Sequence, residues 1–274
     1  MKRSYFLLGL FILVGFSVGS IAHAERYESI HQAEGISFHK PNWIMFGSWS
    51  DEYNGSESEA VFQLSVKKQI ADTGFHVAYT QKSFWQAYNT EDSSPFRETN
   101  YNPEIFYRVD TENALARYFG NGAFIGSLGM DIGFEHESNG RSMPESRSWN
   151  RAYIAPYYAY GHLMLKLKAW YITEDSEKAP EEGSTSGSNN PDIADYMGYG
   201  EVTIKYQGAY DQMFDLRVRG NGKTRKGGID VTWSIPCGYG GAFFMVQGYH
   251  GYGESLIDYN QSITRVGVGL MLTR

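Results

Sequence analysis

His136, Ser138 and Asn150 are the residues whose types and spacing could do chemistry. A serine hydroxyl is a weak nucleophile at neutral pH and needs an adjacent base, for which histidine is the usual side chain. A third group that accepts a hydrogen bond from the other ring nitrogen fixes the tautomer, as the third member of a hydrolase triad does. Asn150 could fill that role, and its neutral amide avoids burying a net charge. A His-x-Ser pair alone is a weak signal, so the case rests on the elements that position it.

Side chains two apart share one face of a strand and stand roughly 6.6 Å apart along it, a gap that an imidazole and a hydroxyl can close. In Phe124 to Ser138, the residues Leu128, Met130, Ile132 and Phe134 share their face with His136 and Ser138, whereas Ser127, Asp131 and Glu135 face the other way. Asn150 shares a face with Ala152 and Ile154 in the next segment. A hairpin through Asn139 to Arg147 would pair the two strands and bring the three side chains within reach on the apolar face.

The same alternation runs along the chain. Phe62, Leu64 and Val66 oppose Gln63, Ser65 and Lys67, and Leu163, Leu165, Leu167 and Ala169 oppose Lys166, Lys168 and Trp170. Twelve such segments occur, at 42–50, 59–69, 74–87, 97–109, 123–138, 148–159, 162–173, 194–207, 212–220, 226–235, 241–251 and 262–272. Their length, about ten residues, is what a tilted strand needs to cross a bilayer. An even number fits a bacterial barrel.

Met1-Lys2-Arg3, an apolar run from Tyr5 to Val18, and Ala22-His23-Ala24 read as a signal peptide over 1–24. Its removal would make the formal charge, −7 for the whole chain, two units more negative. Such an acidic chain lacks the cationic stripe that nucleic-acid binding requires, so no nucleic-acid partner is expected. With a single cysteine, Cys237, neither an internal disulfide nor a multi-thiolate metal site can form. The 21 Tyr, 16 Phe and 31 Gly, with no later apolar run of roughly 18 residues, leave a secreted β protein or an outer-membrane barrel.

The connections favour the barrel. One side carries 51–58, 88–96, 139–147, 174–191, 221–226 and 251–260; the other mostly short turns at 71–73, 160–161, 209–211 and 236–238. Long loops outside and short turns inside are the outer-membrane pattern. Asp110 to Gly122 is longer than that pattern explains, and Glu174 to Pro191 is polar enough to be a solvated loop. Residues 25–41 show no period and are expected as a periplasmic segment ahead of one all-β domain over 42–274, a transmembrane antiparallel β-barrel. On such a wall the greasy face meets lipid, so His136 and Ser138 project outward near the outer rim, where polar side chains are costly.

Other motifs fail. Gly222-Lys223-Thr224 resembles the end of a phosphate loop, but Arg217 stands where the earlier glycine is required. His136 occupies the first glycine position of a nucleophile elbow around Ser138.

Several separated stretches resemble the outer membrane phospholipase A family: Tyr79 to Ser83, Ser93 to Tyr101, His136 to Arg141, Ser146 to Arg151, Gly251 to Asn260 and Thr264 to Gly269. The resemblance implies a twelve-stranded barrel in the outer membrane of a Gram-negative bacterium. It implies a calcium-dependent homodimer that hydrolyses the acyl esters of membrane phospholipids (A1, A2 and lysophospholipase activity) at the outer leaflet. Ser138 would be the nucleophile, His136 the base and Asn150 the orienting residue. The Gly140 N–H would bind the oxyanion, and calcium would be held by the Ser93 side chain of one subunit and the carbonyls of Arg141 and Ser146 of the other. Gln81 would lie at the dimer interface. Oxygen-only ligands suit that hard cation. The chain departs from the family in ending Leu272-Thr273-Arg274, without the terminal aromatic common to such barrels. Two other functions stay open on the residues alone, a passive pore and a deacylase acting on lipopolysaccharide.

Overall fold

Alternation of apolar and polar residues produces one closed sheet. The computed structural model describes residues 27, 30, 35–110, 126–173, 189–238 and 241–274. The expected signal peptide, residues 111–122 and residues 174–188 lie outside them. The strands are β1 (Ile36–Phe38), β2 (Trp43–Ser50), β3 (Ala60–Gln69), β4 (Phe75–Trp85), β5 (Phe96–Asp110), β6 (Ser127–Ser138), β7 (Ser148–Tyr160), β8 (Leu163–Ile172), β9 (Gly200–Gln207), β10 (Met213–Asn221), β11 (Lys226–Pro236), β12 (Phe243–Tyr252) and β13 (Ser262–Met271). A short helix, α1 (Ile193–Met197), precedes β9.

Neighbouring strands run antiparallel from β3 through β2 and β13 down to β4, and β4 pairs back with β3 to close the ring. The barrel therefore has twelve strands, as the periodicity predicts. β1 is not a thirteenth stave. Phe38 faces Val66 and Trp43 faces Gln63 on the same partner, so β1 continues β2 across an irregular stretch at 39–42.

The faces sort as the parity argument requires. Leu64 and Val66 are 51% and 39% exposed, while Ser65 and Lys67 between and beside them are buried. Ile132 and Phe134 likewise stand outside, with Asp131 and Glu135 inside. With nothing but lipid to meet, an apolar exterior stabilises the barrel in a bilayer and leaves the polar groups to satisfy one another within.

They do so through ion pairs inside the barrel, several of them between neighbouring strands. Arg108 meets Asp131 at 2.7 Å, with Lys166 on the same carboxylate at 3.0 Å. Lys168 reaches Glu135 at 2.8 Å, Arg217 reaches Asp230 at 2.9 Å, and Arg265 holds Glu59 and Glu254 at 2.6 and 2.7 Å. Buried charges persist only when paired in this way.

Both mouths are filled. At the long-loop end Ser255, Leu256, Asp258 and Tyr259 fold inward, and Leu256 and Tyr259 pack with Ile193 and Met197 of α1 and with Trp149 and Trp170. At the short-turn end Tyr27 and Ile30 pack on Tyr157, Ala159, Met164 and Met213, and the Arg108 guanidinium donates to the Ile30 carbonyl at 3.0 Å. Thus the segment expected ahead of the barrel supplies β1 and two side chains that close its lower end. Between the two ends lies a cavity of about 220 Å³ lined by groups such as Lys40, Glu104 and Lys168.

Candidate active site

The β6–β7 hairpin sets the site. Its ladder pairs His136 directly with Asn150 and Ser138 with Ser148. Outward parity then puts all three expected side chains on the lipid face, partly exposed, within two residue pairs of the loop that joins the strands. His136 Nδ1 lies 2.8 Å from Asn150 Oδ1. An amide oxygen can only accept, so Nδ1 carries the proton and Nε2 presents its lone pair as a base. Among the described residues Ser138 makes no hydrogen bond to that ring. Such contacts tighten when substrate arrives.

The loop that follows supplies the other groups. Gly140 adopts φ +66°, and a Cβ there would lie 3.2 Å from Tyr101 Cε2. The positive φ favours glycine, and an added Cβ would press on the Tyr101 ring. Arg141 and Ser146 sit on the same loop, and Arg141 is anchored by its Glu145 partner, by the Arg97 carbonyl and by Glu98 at 3.6 Å. The Ser146 carbonyl accepts from Arg147 at 2.8 Å and keeps a second lone pair, while the Ser146 hydroxyl accepts from Asn189 Nδ2 at 2.7 Å. Carbonyl and hydroxyl oxygens in one loop suit a hard cation in donor type. Among the described residues no cluster of three or more His, Cys, Asp or Glu offers a competing metal site.

Ser93 lies elsewhere, in the β4–β5 loop, exposed and at φ +60° with Ser94 following at φ +52°. That bend is held by the Ser94 N–H to the Asn89 carbonyl at 2.7 Å and by Trp85 Nε1 to the Ser94 carbonyl at 2.9 Å. Among the described residues no hydrogen bond joins Ser93 to the 139–147 loop. Gln81 stands on the outer face of β4, accepting from Tyr79 Oη at 3.1 Å and donating to Ser83 Oγ at 3.1 Å. It pairs with Tyr101, which pairs with Ser138, so Gln81 lies in the same row as Ser138, two strands away, at about 10 Å.

Asn139 is the residue that sequence reasoning passed over. Buried beside Ser138, it accepts the N–H groups of Arg141 and Arg147 at 3.3 and 3.0 Å and donates to the Glu145 carbonyl at 2.8 Å and to Glu98 at 3.4 Å. One side chain thus fastens both ends of the loop that carries Gly140, Arg141 and Ser146. Its Arg141, Glu145 and Arg147 partners are local, the kind of bond an asparagine makes in a turn, whereas Glu98 lies 41 residues away.

The phospholipase A1 family model matches residues 23–272. The chain belongs to the phospholipase A1 family. A putative phospholipase A1 of Neisseria meningitidis serogroup B is 40% identical over 222 residues, covering 78% of this chain, which spans 54% of that relative's length. The outer membrane phospholipase A of Escherichia coli superposes with a TM-score of 0.71 at 33% identity, over 87% of this chain and 98% of the other. The Salmonella typhi outer membrane phospholipase dimer with bound calcium gives the same score and identity over 89% and 94%. Members of this family are phospholipid-ester hydrolases, and the chain shares their outer-membrane barrel.

Proposed function

We propose that the barrel hydrolyses the acyl esters of phospholipids in the outer leaflet, through Ser138, His136 and Asn150, as a calcium-dependent dimer. The observation that carries the reading is the His136–Asn150 bond of 2.8 Å on the outer wall, because a base oriented toward lipid serves a substrate that resides in the membrane. Long loops on that rim point to the outer leaflet.

In the proposed reaction the Ser138 hydroxyl attacks the ester carbonyl while His136 Nε2 takes its proton. The Gly140 N–H donates to the oxyanion that forms. His136 returns the proton to the departing glycerol oxygen, releasing the lysophospholipid and leaving an acyl ester on Ser138. Water, activated by the same base, then frees the fatty acid. The Arg141 and Ser146 carbonyls, with Ser93 of a second chain, would hold calcium, which would supply positive charge to stabilise the oxyanion. The S. typhi relative, a dimer with bound calcium, supports a calcium-binding dimer. Buried side chains packed across both ends of the barrel argue against the passive pore.

The test is hydrolysis of a defined phosphatidylcholine by the detergent-purified protein, with calcium or with chelator, followed by mass spectrometry of the products. Loss of lysophospholipid release in Ser138→Ala and in chelator supports the reading. Unchanged release in either, or products only from lipopolysaccharide, contradicts it.

A further inference from the structure

The outer face of the hairpin carries the site, but the inner face of the same residues is also organised. Three consecutive pairs of the β6–β7 ladder are Glu135 with Arg151, His136 with Asn150, and Glu137 with Trp149. By parity the first and third pairs point into the barrel and the middle one points out. Inside, Glu137 Oε2 accepts Trp149 Nε1 at 2.9 Å and Arg151 Nη2 at 2.8 Å. The Arg151 guanidinium lies 3.7 Å above the Trp149 ring, which is fully buried, and its Nε stands 3.2 Å from Glu135. Glu137 therefore ties β6 to two positions of β7 that flank Asn150.

The opposite edge of β6 gives little help. Pairing with β5 holds at Ser138–Tyr101 and resumes at Glu135–Glu104, so His136 and Glu137 have no partner residue on β5. There a side chain spans the gap, Asn102 Nδ2 donating to the His136 carbonyl at 2.9 Å. Two pairs beyond, at Ser138 and Ser148, the regular ladder gives way to the 139–147 loop, where the Asn139 N–H donates to the Arg147 carbonyl at 3.0 Å.

We propose that Glu137 is a positioning residue for the reaction, an inner clamp that holds the His136–Asn150 pair in register from behind. The clamp rests on the catalytic reading for its purpose but not for its existence. A sheet one residue thick couples its two faces, because the backbone that Glu137 fixes carries His136. A displacement of about 1 Å at such a base costs up to a hundredfold in rate.

The test compares Glu137→Met, which keeps the length and removes the acceptor, with Glu137→Gln, whose single amide oxygen can take both donors that Oε2 takes now. Asp215→Asn, which weakens a distant lumen pair with Lys205 (2.9 Å), controls for general loosening. Each is refolded in detergent and measured for kcat, KM and backbone hydrogen exchange. In Glu137→Met we expect kcat to fall about tenfold or more with KM within about twofold. Exchange should quicken at 136–138 and 148–150 but not in β10–β12. Glu137→Gln should recover most of both, and Asp215→Asn should change neither. Wild-type kcat and exchange in Glu137→Met would overturn the proposal, as would an equal loss of kcat in Asp215→Asn. Absence of Ser138-dependent hydrolysis in the parent protein would remove the catalytic reading instead, and the exchange measurement would still decide whether the clamp exists.

Discussion

Replacing Asn150 by alanine removes the Oδ1 that lies 2.8 Å from His136 Nδ1 and leaves the rest of the site in place. The strand stays anchored, because the Asn150 carbonyl accepts the Thr173 N–H at 3.0 Å through the backbone. The lost bond joins two neutral groups, and a net contribution of about 0.5–1.5 kcal/mol is usual for such a bond. At about 1.4 kcal/mol per tenfold in rate, kcat should drop about two- to tenfold. A charged third member behaves differently, since its loss in serine proteases costs about ten-thousandfold by leaving the wrong tautomer. The assay is kcat for release of fatty acid from mixed micelles at saturating calcium, with the heat-modifiable gel shift as a check on folding. A loss beyond about a thousandfold would refute the reasoning, because the amide would then be doing more than orienting a neutral ring. No loss at all would refute it equally, because the base would need no orienting partner.

Gly140→Ala puts a Cβ at φ +66° and close to Tyr101, and the left-handed strain of about 1–2 kcal/mol should fall on the oxyanion donor; activity should be lost while the gel shift persists. Asn139→Ala leaves the Arg141 and Arg147 N–H groups without their acceptor, so calcium affinity measured by titration calorimetry should weaken by about tenfold. Arg108→Met uncovers Asp131 and the Ile30 carbonyl together, and breaking a buried pair costs about 3–5 kcal/mol. The cost should sit at the lower end because Lys166 stays 3.0 Å from Asp131, and it should appear as a lower urea midpoint in detergent.

Which parts were legible in the sequence follows from the range of the interactions. Period-two alternation is local, so Phe62 to Lys67 declares its two faces from six residues, and the outward aim of His136 and Ser138 follows from Ile132 and Phe134. The His136–Asn150 bond was legible because a hairpin makes a fourteen-residue separation a neighbouring pair. The lumen was not. Arg265 and Glu59 are 206 residues apart, and which inward charge meets which depends on ring closure. The inward folding of Leu256 and Asp258 was hidden too, because a loop of mixed polarity reads as solvated whether it stands outside the barrel or within it. Residues 25–41 escaped for a third reason. Ile36 to Phe38 is too short to show a period, and Tyr27 and Ile30 act as isolated plugs rather than as a strand.

The central claim is that Ser138 is a nucleophile whose base is His136, on the lipid side of the barrel. Covalent labelling by an alkyl fluorophosphonate in micelles, with the adduct located by peptide mass spectrometry, tests it most directly. One adduct is expected, on Ser138, formed with calcium and lost in His136→Ala. An adduct on another residue, or equal labelling of Ser138 without the histidine, would contradict it.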